Sequence, residues 1–222
     1  MSDREWHYLV RDFPKLGACF QVDADNMNTD LYSQAMQRFQ AVFARVQTLD
    51  IPEPAAVSLA TVSKDGQPSV RTVLLKAFDA HGFVFYTNMQ SRKGEQLHAN
   101  PHAALCFFWQ ALMQQVLVEG KVQAVSDAEA DAYWITRQRM SQIGAWASRQ
   151  SEPLPERVQL ERNYLEFEQR FTGQPVPRPK YWSGFRLEPH MIEFWLSRPG
   201  RLHERERYFI EHGSWQRCLI YP

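Results

Sequence analysis

The chain has 222 residues, 25 Lys+Arg against 25 Asp+Glu, and a pI near 7.1. A protein that neutralises many duplex phosphates carries a basic excess, so nucleic acid is excluded as a partner of the whole surface and any anion site is local. At 44% hydrophobic and 13% aromatic the chain can bury a core, while its longest strongly apolar run, Ala103 to Trp109, falls far short of the ~20 residues of a membrane helix.

Residues 1 to 28 lack periodicity and read as an arm, leaving 29 to 222 as one domain. Behind a Thr29/Asp30 cap, Leu31, Ala35, Met36, Phe39, Val42, Phe43, Val46 and Leu49 recur every three or four positions, which predicts an amphipathic helix ending before Pro52. The period then falls to two. Strands are predicted over Ala56 to Ser63, Pro68 to Phe78 and Phe83 to Asn88, with Asp65-Gly66 and His81-Gly82 as turns. Ser91 to Asn100 reads as a short helix stopped by Pro101, followed by strands His102 to Trp109 and Met113 to Val125. Ser126 and Glu129 form a capping box for a helix through Arg137, and a second helix, with Pro155 near its first turn, runs to about Phe171. Four more strands are expected: Trp182 to Leu187, Met191 to Leu196, Glu204 to Glu211 and Trp215 to Ile220. Hairpins with inserted helices predict an α+β fold built on a closed or nearly closed antiparallel barrel.

The three cysteines, Cys19, Cys106 and Cys218, are widely spaced, form no CxxC pair and follow no secretory leader. A reducing, cytoplasmic setting is expected, each thiol being a small buried hydrophobe. GxGxxG, Walker, HExxH and GxSxG patterns are all missing from the sequence, so a nucleotide or flavin would be held in another way.

Four clusters can carry chemistry. Arg71 and Lys76 bracket an apolar strand; five apart, they face opposite sides unless a bulge intervenes, and solvated edge charges are as good a reading as an anion site. Tyr86-Thr87-Asn88 ends a strand just before Ser91-Arg92-Lys93 opens a helix, where cations oppose the helix dipole unless an anion relieves them. Tyr133, Arg137 and Ser141, spaced by four, would stack a phenol, a guanidinium and a hydroxyl on one face if the helix persists to Ser141, with Gln150 and Ser151 in the following loop. Arg201, His203 and Arg205 would share one face of a strand, suited to a planar anionic ligand, or would pair across strands with carboxylates such as Glu193.

These residues fall within a longer pattern. RTVLLK at 71 to 76, FYTN at 85 to 88, SRK at 91 to 93, QQVLVEG at 114 to 120, SQIGAWAS at 141 to 148, RQS at 149 to 151 and IEFW…RLHER at 192 to 205 resemble the pyridoxine (pyridoxamine) 5′-phosphate oxidase family. The resemblance runs from about Val57 to Trp215 and implies an FMN-binding split barrel with peripheral helices, acting as a homodimer with two flavin sites at the subunit interface. It implies that FMN is held by Arg71, Thr72, Val73, Leu74, Leu75 and Lys76, by Tyr86, Thr87, Arg92, Lys93 and Gln115, and by Gln150, Ser151, Trp195 and Arg205. Lys76, Tyr133, Arg137 and Ser141 would take the substrate phosphate. Arg201 and His203 would lie against the pyridine ring and its 3′ oxygen as the catalytic pair, Arg201 stabilising electron-rich character and His203 orienting the ring. The implied reaction turns pyridoxine or pyridoxamine 5′-phosphate into pyridoxal 5′-phosphate, with dioxygen as acceptor and hydrogen peroxide as product; no metal, nucleic acid or membrane takes part. Within the fold, an oxidase of the phenazine-biosynthesis type and a non-catalytic flavin or pyridoxal-phosphate binder are the alternatives. The ends depart from the family's pattern: Arg4-Glu-Trp-His-Tyr8 stands where an Arg-x-x-Tyr segment is usual, and Cys218-Leu-Ile-Tyr-Pro222 carries no arginine at the place of an Arg-Leu-x-Pro ending.

Overall fold

The computed structural model describes residues 31–222. The expected arm, Cys19 and the Thr29/Asp30 cap lie outside the described residues. Helix α1 (Leu31–Gln47) buries Ala35, Met36, Phe39, Phe43 and Val46, the stripe its spacing predicts. That stripe lies on the concave side of a curved sheet, where Phe39 meets Phe78, Phe83 and Phe107 edge-on at 4.9, 4.9 and 5.2 Å.

The sheet is antiparallel throughout. In chain order its members are β1 (Ala56–Val62), β2 (Pro68–Leu74), β3 (Ala77–Asp79), β4 (Gly82–Asn88), β5 (His102–Trp109), β6 (Gln114–Ala124), β7 (Trp182–Leu196), β8 (Glu204–Glu211) and β9 (Ser214–Leu219). Spatially they run β2-β1-β5-β6-β7-β4-β3, with β8 added to β7 and β9 to β8. Helix α2 (Arg92–Ala99) follows β4, while α3 (Asp127–Thr136), α4 (Arg139–Ala147) and α5 (Arg157–Arg170) lie between β6 and β7. The α+β, barrel-type architecture is therefore the expected one.

Two strand boundaries differ from expectation, each for a physical reason. The run Pro68 to Phe78 is not one strand, because the chain leaves the β1 ladder after Leu74. There Leu75 N donates to Ala55 O at 2.9 Å and Lys76 N to Val84 O at 2.8 Å. These two residues carry the chain from β2 at one end of the path to β3 at the other, the first bonded just before β1 and the second to β4. Conversely, 182–187 and 191–196 form one strand across Pro189. β4 pairs with β7 up to Leu187 and β8 pairs from Met191, so the proline falls in the gap between those partners, where a missing N–H costs little. On the other edge Pro189 faces Gly120 at a register shift. A side chain at 120 would meet Glu188 O at 2.1 Å, so only glycine lets the strands approach there.

Candidate active site

A cavity of about 400 Å³ opens between the barrel and the helices, floored by Thr72, Val73, Leu74 and Lys76. Tyr86, Thr87, Asn88 and Lys93 form one wall; Tyr133, Arg137, Ser141, Gly144, Ala145, Ser148 and Gln150 form another, with Trp182 between them.

The β4–α2 wall is built by a cap. Ser91 is the N-cap of α2, its hydroxyl donating to Asn88 O at 2.6 Å and accepting from Gly94 N at 3.4 Å. This turns Lys93 inward, where its Nζ donates to Gln150 Oε1 at 2.7 Å, Thr87 Oγ1 at 3.1 Å and Ser91 Oγ at 3.2 Å. Burial, then the Arg71 charge, pulls the Lys93 ammonium down to about 8. Arg71, opposite Leu59 in the β1–β2 register, donates to Thr61 Oγ1 at 2.5 Å, Leu59 O at 3.2 Å and Gln96 Oε1 at 3.3 Å. Burial and then Arg92 lower its pKa too. Arg92 itself is exposed at the helix start. Arg71 and Lys93 make no ion pair with a carboxylate among the described residues. Such a cluster is poised for an anion with several acceptor oxygens.

The helical wall matches the helix expected through Arg137 to within a residue, but that helix does not persist to Ser141. α3 ends at Thr136, and Arg137 (φ −74, ψ 144) and Gln138 (φ −57, ψ 139) are extended before α4 begins. The break carries neither proline nor glycine. It is held by Gln142 Nε2, which donates to Trp134 O at 2.8 Å, and by Arg139, which donates to Phe171 O at 2.6 Å and Gln174 O at 2.9 Å. Tyr133, Arg137 and Ser141 still reach one cavity, from two helices and the bend between them. The capping box is half made: Ser126 Oγ accepts from Glu129 N at 3.1 Å, but the Glu129 carboxylate accepts from Arg186 at 3.0 Å.

Arg137 lies with its guanidinium 4.5 Å from the Trp182 ring and 5.0 Å from Trp134, and its buried NH1 has no hydrogen-bond partner. Burial lowers its pKa, against an opposing effect of Tyr133. Lys76 is also lowered by burial, with Glu53 acting upward and Arg137 downward. Burial raises the Tyr133 phenol, which Arg137 partly offsets; Tyr86, buried beside Glu129 and Tyr133, is pushed up to about 12. Both phenols are thus donors at neutral pH.

The remaining predicted residues lie elsewhere. Leu75 is 2% exposed in the core, and Ser151, with φ 78, is exposed beside the cavity's Gln150. Gln115, Trp195 and Arg205 do not line the cavity, yet they stand in one register row across β6, β7 and β8. His203 packs its ring 4.7 Å from Trp195. The expected Arg201-His203-Arg205 strand face is not formed. Arg201 (φ 60) and Gly200 (φ 66) make a tight turn closed by Leu202 N to Pro199 O at 3.3 Å, and β8 starts only at Glu204. Arg205 takes the cross-strand reading, donating to the buried Glu193 at 2.8 Å, which also accepts from Arg207 at 2.9 Å. Trp182, Thr61 and Gln96 carry no expectation of a site role from the sequence; Thr61 has a faint signal, a hydroxyl on the inward row of Val57 and Leu59.

No described helix is long and apolar enough to cross a membrane, and no group of three or more His, Cys, Asp or Glu among the described residues could hold a metal. Residues 44–171 match the family model described as pyridoxamine 5′-phosphate oxidase, and 182–222 match the pyridoxine 5′-phosphate oxidase C-terminal dimerisation region. The chain is 55% identical over 187 residues to a pyridoxine/pyridoxamine 5′-phosphate oxidase of Myxococcus xanthus, covering 84% of this chain and 91% of that one. It is 52% identical over 194 residues to the enzyme of that name from Alkalilimnicola ehrlichii, covering 86% and 99%. Among solved structures, PhzG from Burkholderia lata, in complex with tetrahydrophenazine-1-carboxylic acid, superposes with a TM-score of 0.79 at 30% identity over 89% of this chain and 95% of that one. An FMN binding protein from Nostoc punctiforme, related to pyridoxamine 5′-phosphate oxidase, shares the fold with a TM-score of 0.67 at 18% identity over 84% and 96%. With the family model spanning more than half its length and relatives above 50% identity along most of it, the chain belongs to the pyridoxine/pyridoxamine 5′-phosphate oxidase family.

Proposed function

We propose that this protein binds FMN and oxidises pyridoxine 5′-phosphate or pyridoxamine 5′-phosphate to pyridoxal 5′-phosphate, reducing dioxygen to hydrogen peroxide. The observation that carries this reading is the pairing of two cationic clusters, one reaching the cavity through Lys93 with the Arg71 charge acting on it and one around Arg137, with an orphaned buried guanidinium nitrogen in the second. Two phosphate-bearing ligands account for both.

In this reading Arg71, Arg92, Lys93, Gln150 and Ser151 hold the flavin phosphate, and the chain from Thr72 to Lys76 with Tyr86 and Thr87 lies along the cofactor. Lys76, Tyr133, Arg137 and Ser141 hold the substrate phosphate with two charges and two hydroxyl donors. FMN, when bound, would supply the two-electron redox chemistry between the 4′ carbon of the substrate and dioxygen. The protein's contribution is position: two anchored phosphates bring ring against ring at near-attack distance.

Gln115, Trp195 and Arg205, with His203 against Trp195, form a second cluster outside the cavity, and Arg201 lies two residues before His203 in the turn that leads into it. We assign it to the cavity of a second copy, giving a homodimer with two composite sites. Support comes from the match of 182–222 to a dimerisation region and from a half-exposed outer sheet face. Thr72, Ser58, Cys106, Leu117, Glu193, Arg207 and Cys218 form one row of that face across seven strands. Arg201 then stabilises electron-rich character at the reacting carbon and His203 orients the ring. A phosphate-free substrate such as a phenazine precursor would leave the Arg137 cluster unpaired in a desolvated place, which disfavours it.

The test is aerobic turnover by the FMN-loaded protein. Pyridoxal 5′-phosphate and hydrogen peroxide should form in equal amounts from pyridoxine 5′-phosphate. Full FMN loading with no turnover of either phosphorylated vitamer would defeat the proposal.

A further inference from the structure

A buried guanidinium that must take a phosphate poses a problem while the phosphate is away. A carboxylate would stabilise it but would occupy the same donors. In this protein aromatic rings stand in that place. The Arg137 guanidinium lies 4.5 Å from the Trp182 ring and 5.0 Å from Trp134, and the two indoles meet edge-on at 4.8 Å. Contact through a ring's π face stabilises the cation without using its in-plane N–H edge, and the unpartnered NH1 of Arg137 is what such a support leaves.

The same indole continues into a second donor. Trp182 stacks on Tyr86 with centroids 5.4 Å apart and planes 4° apart, and Tyr86 stacks on Tyr133 at 4.0 Å and 14°. Trp182 is 5% exposed and is fixed at the start of β7 by Arg178 NH1 donating to its carbonyl at 2.8 Å and by its own N–H donating to Pro179 O at 2.9 Å.

We infer that Trp182 is the positioning residue for substrate-phosphate recognition, carrying Arg137 on its ring and Tyr133 through Tyr86. The inference rests on the reading that Arg137 and Tyr133 take the substrate phosphate, and the control below separates the two.

Steady-state kinetics with pyridoxine 5′-phosphate, FMN affinity and thermal midpoint are measured for Trp182→Leu, Trp182→Phe, Arg137→Ala and the double variant Trp182→Leu/Arg137→Ala. Trp182→Leu should raise KM about tenfold, between the scales of an exposed and a fully desolvated cation–π contact, with kcat and FMN affinity near wild type. Trp182→Phe, which keeps a ring under the guanidinium, should recover most of that loss. In the double variant Trp182→Leu should add little to the KM of Arg137→Ala, because the group it positions is gone. If Trp182→Leu is too unstable to purify, the Phe variant decides: a KM rise of about two- to threefold supports the inference, and an unchanged KM overturns it. Equal loss of FMN affinity, kcat and KM, or full additivity in the double variant, marks Trp182 as core filler and overturns it as well. An unchanged KM in Arg137→Ala instead defeats the phosphate reading itself.

Discussion

At the scale of single residues, the site is governed by cations that burial makes reluctant to be charged. Lys93 is the clearest case, with a pKa near 8 in the ligand-free protein. An anion favours its charged form, so FMN affinity should fall as pH rises through about 8, with a proton taken up on binding above that point. The stability of the ligand-free protein carries the opposite sign. Between about pH 8 and 10.5 the unfolded chain holds a proton on this lysine that the folded chain does not, so folding gains as pH rises across that window. Flavin fluorescence titrations at several pH values check the affinity, and an affinity that climbs with pH would contradict this account. Arg137→Lys keeps a charge but loses the planar fork and the fit to the indole face, so KM for pyridoxine 5′-phosphate should rise about tenfold while flavin stays bound; a colourless purified variant would place the residue on the wrong ligand. The donor residues themselves were legible in the sequence as cations and hydroxyls in improbable places. Their supports were not, because Trp182 and Gln96 carry no local signal and matter only through what folds against them.

At the scale of elements, the site depends on where regular structure stops. Lys76 faces the cavity because β2 ends at Leu74, and Arg137 does because α3 ends at Thr136. Neither stop carries a proline or glycine. Periodicity carries the strand on to Phe78 and leaves open whether the helix persists to Ser141, because the forces that end them are tertiary: the backbone bonds of Leu75 beside β1 and of Lys76 to β4, and the Gln142 and Arg139 caps. The hairpins, by contrast, were readable from Asp65-Gly66 and His81-Gly82, where Gly66 and Gly82 take φ 81 and 118. The turn at Gly200-Arg201 was hidden because an arginine takes the second left-handed position, and the regular Arg-x-His-x-Arg alternation imitates a strand. Gly184 offers a test at this scale. It faces Tyr86 across β4 and β7, and a side chain there would come within 2.8 Å of the Tyr86 ring. Gly184→Ala should cost about 1–3 kcal/mol of stability through overpacking and raise KM by disturbing the Tyr86–Tyr133 stack. A stable variant with an unchanged KM would show that the ring has room to shift.

At the scale of the whole molecule, neutrality proves compatible with two anionic ligands because the cations are gathered. Acidic side chains are spent elsewhere: Asp127 and Asp131 on Arg178, Asp79 and Glu129 on Arg186, Glu193 on Arg205 and Arg207. The sequence pattern carried the barrel class and the family. It could not show that the predicted site residues fall into two groups on one chain, since strand order and register decide that. If each site draws on two copies, Arg137→Ala and Arg201→Ala proteins, assayed at a pyridoxine 5′-phosphate concentration where each alone turns over little, should complement each other when subunits are exchanged. Random pairing restores one intact site in half of the dimers, about a quarter of wild-type activity. No recovery after verified exchange would place both groups in one subunit's site. In the proposed reaction this cavity sets a phosphorylated vitamer against a flavin for hydride transfer, and anaerobic mixing of the FMN-loaded protein with pyridoxine 5′-phosphate isolates that step. The flavin's long-wavelength visible band should bleach with stoichiometric formation of pyridoxal 5′-phosphate and return when air is admitted. A band that stays unchanged with excess substrate, yet bleaches with dithionite, would contradict it.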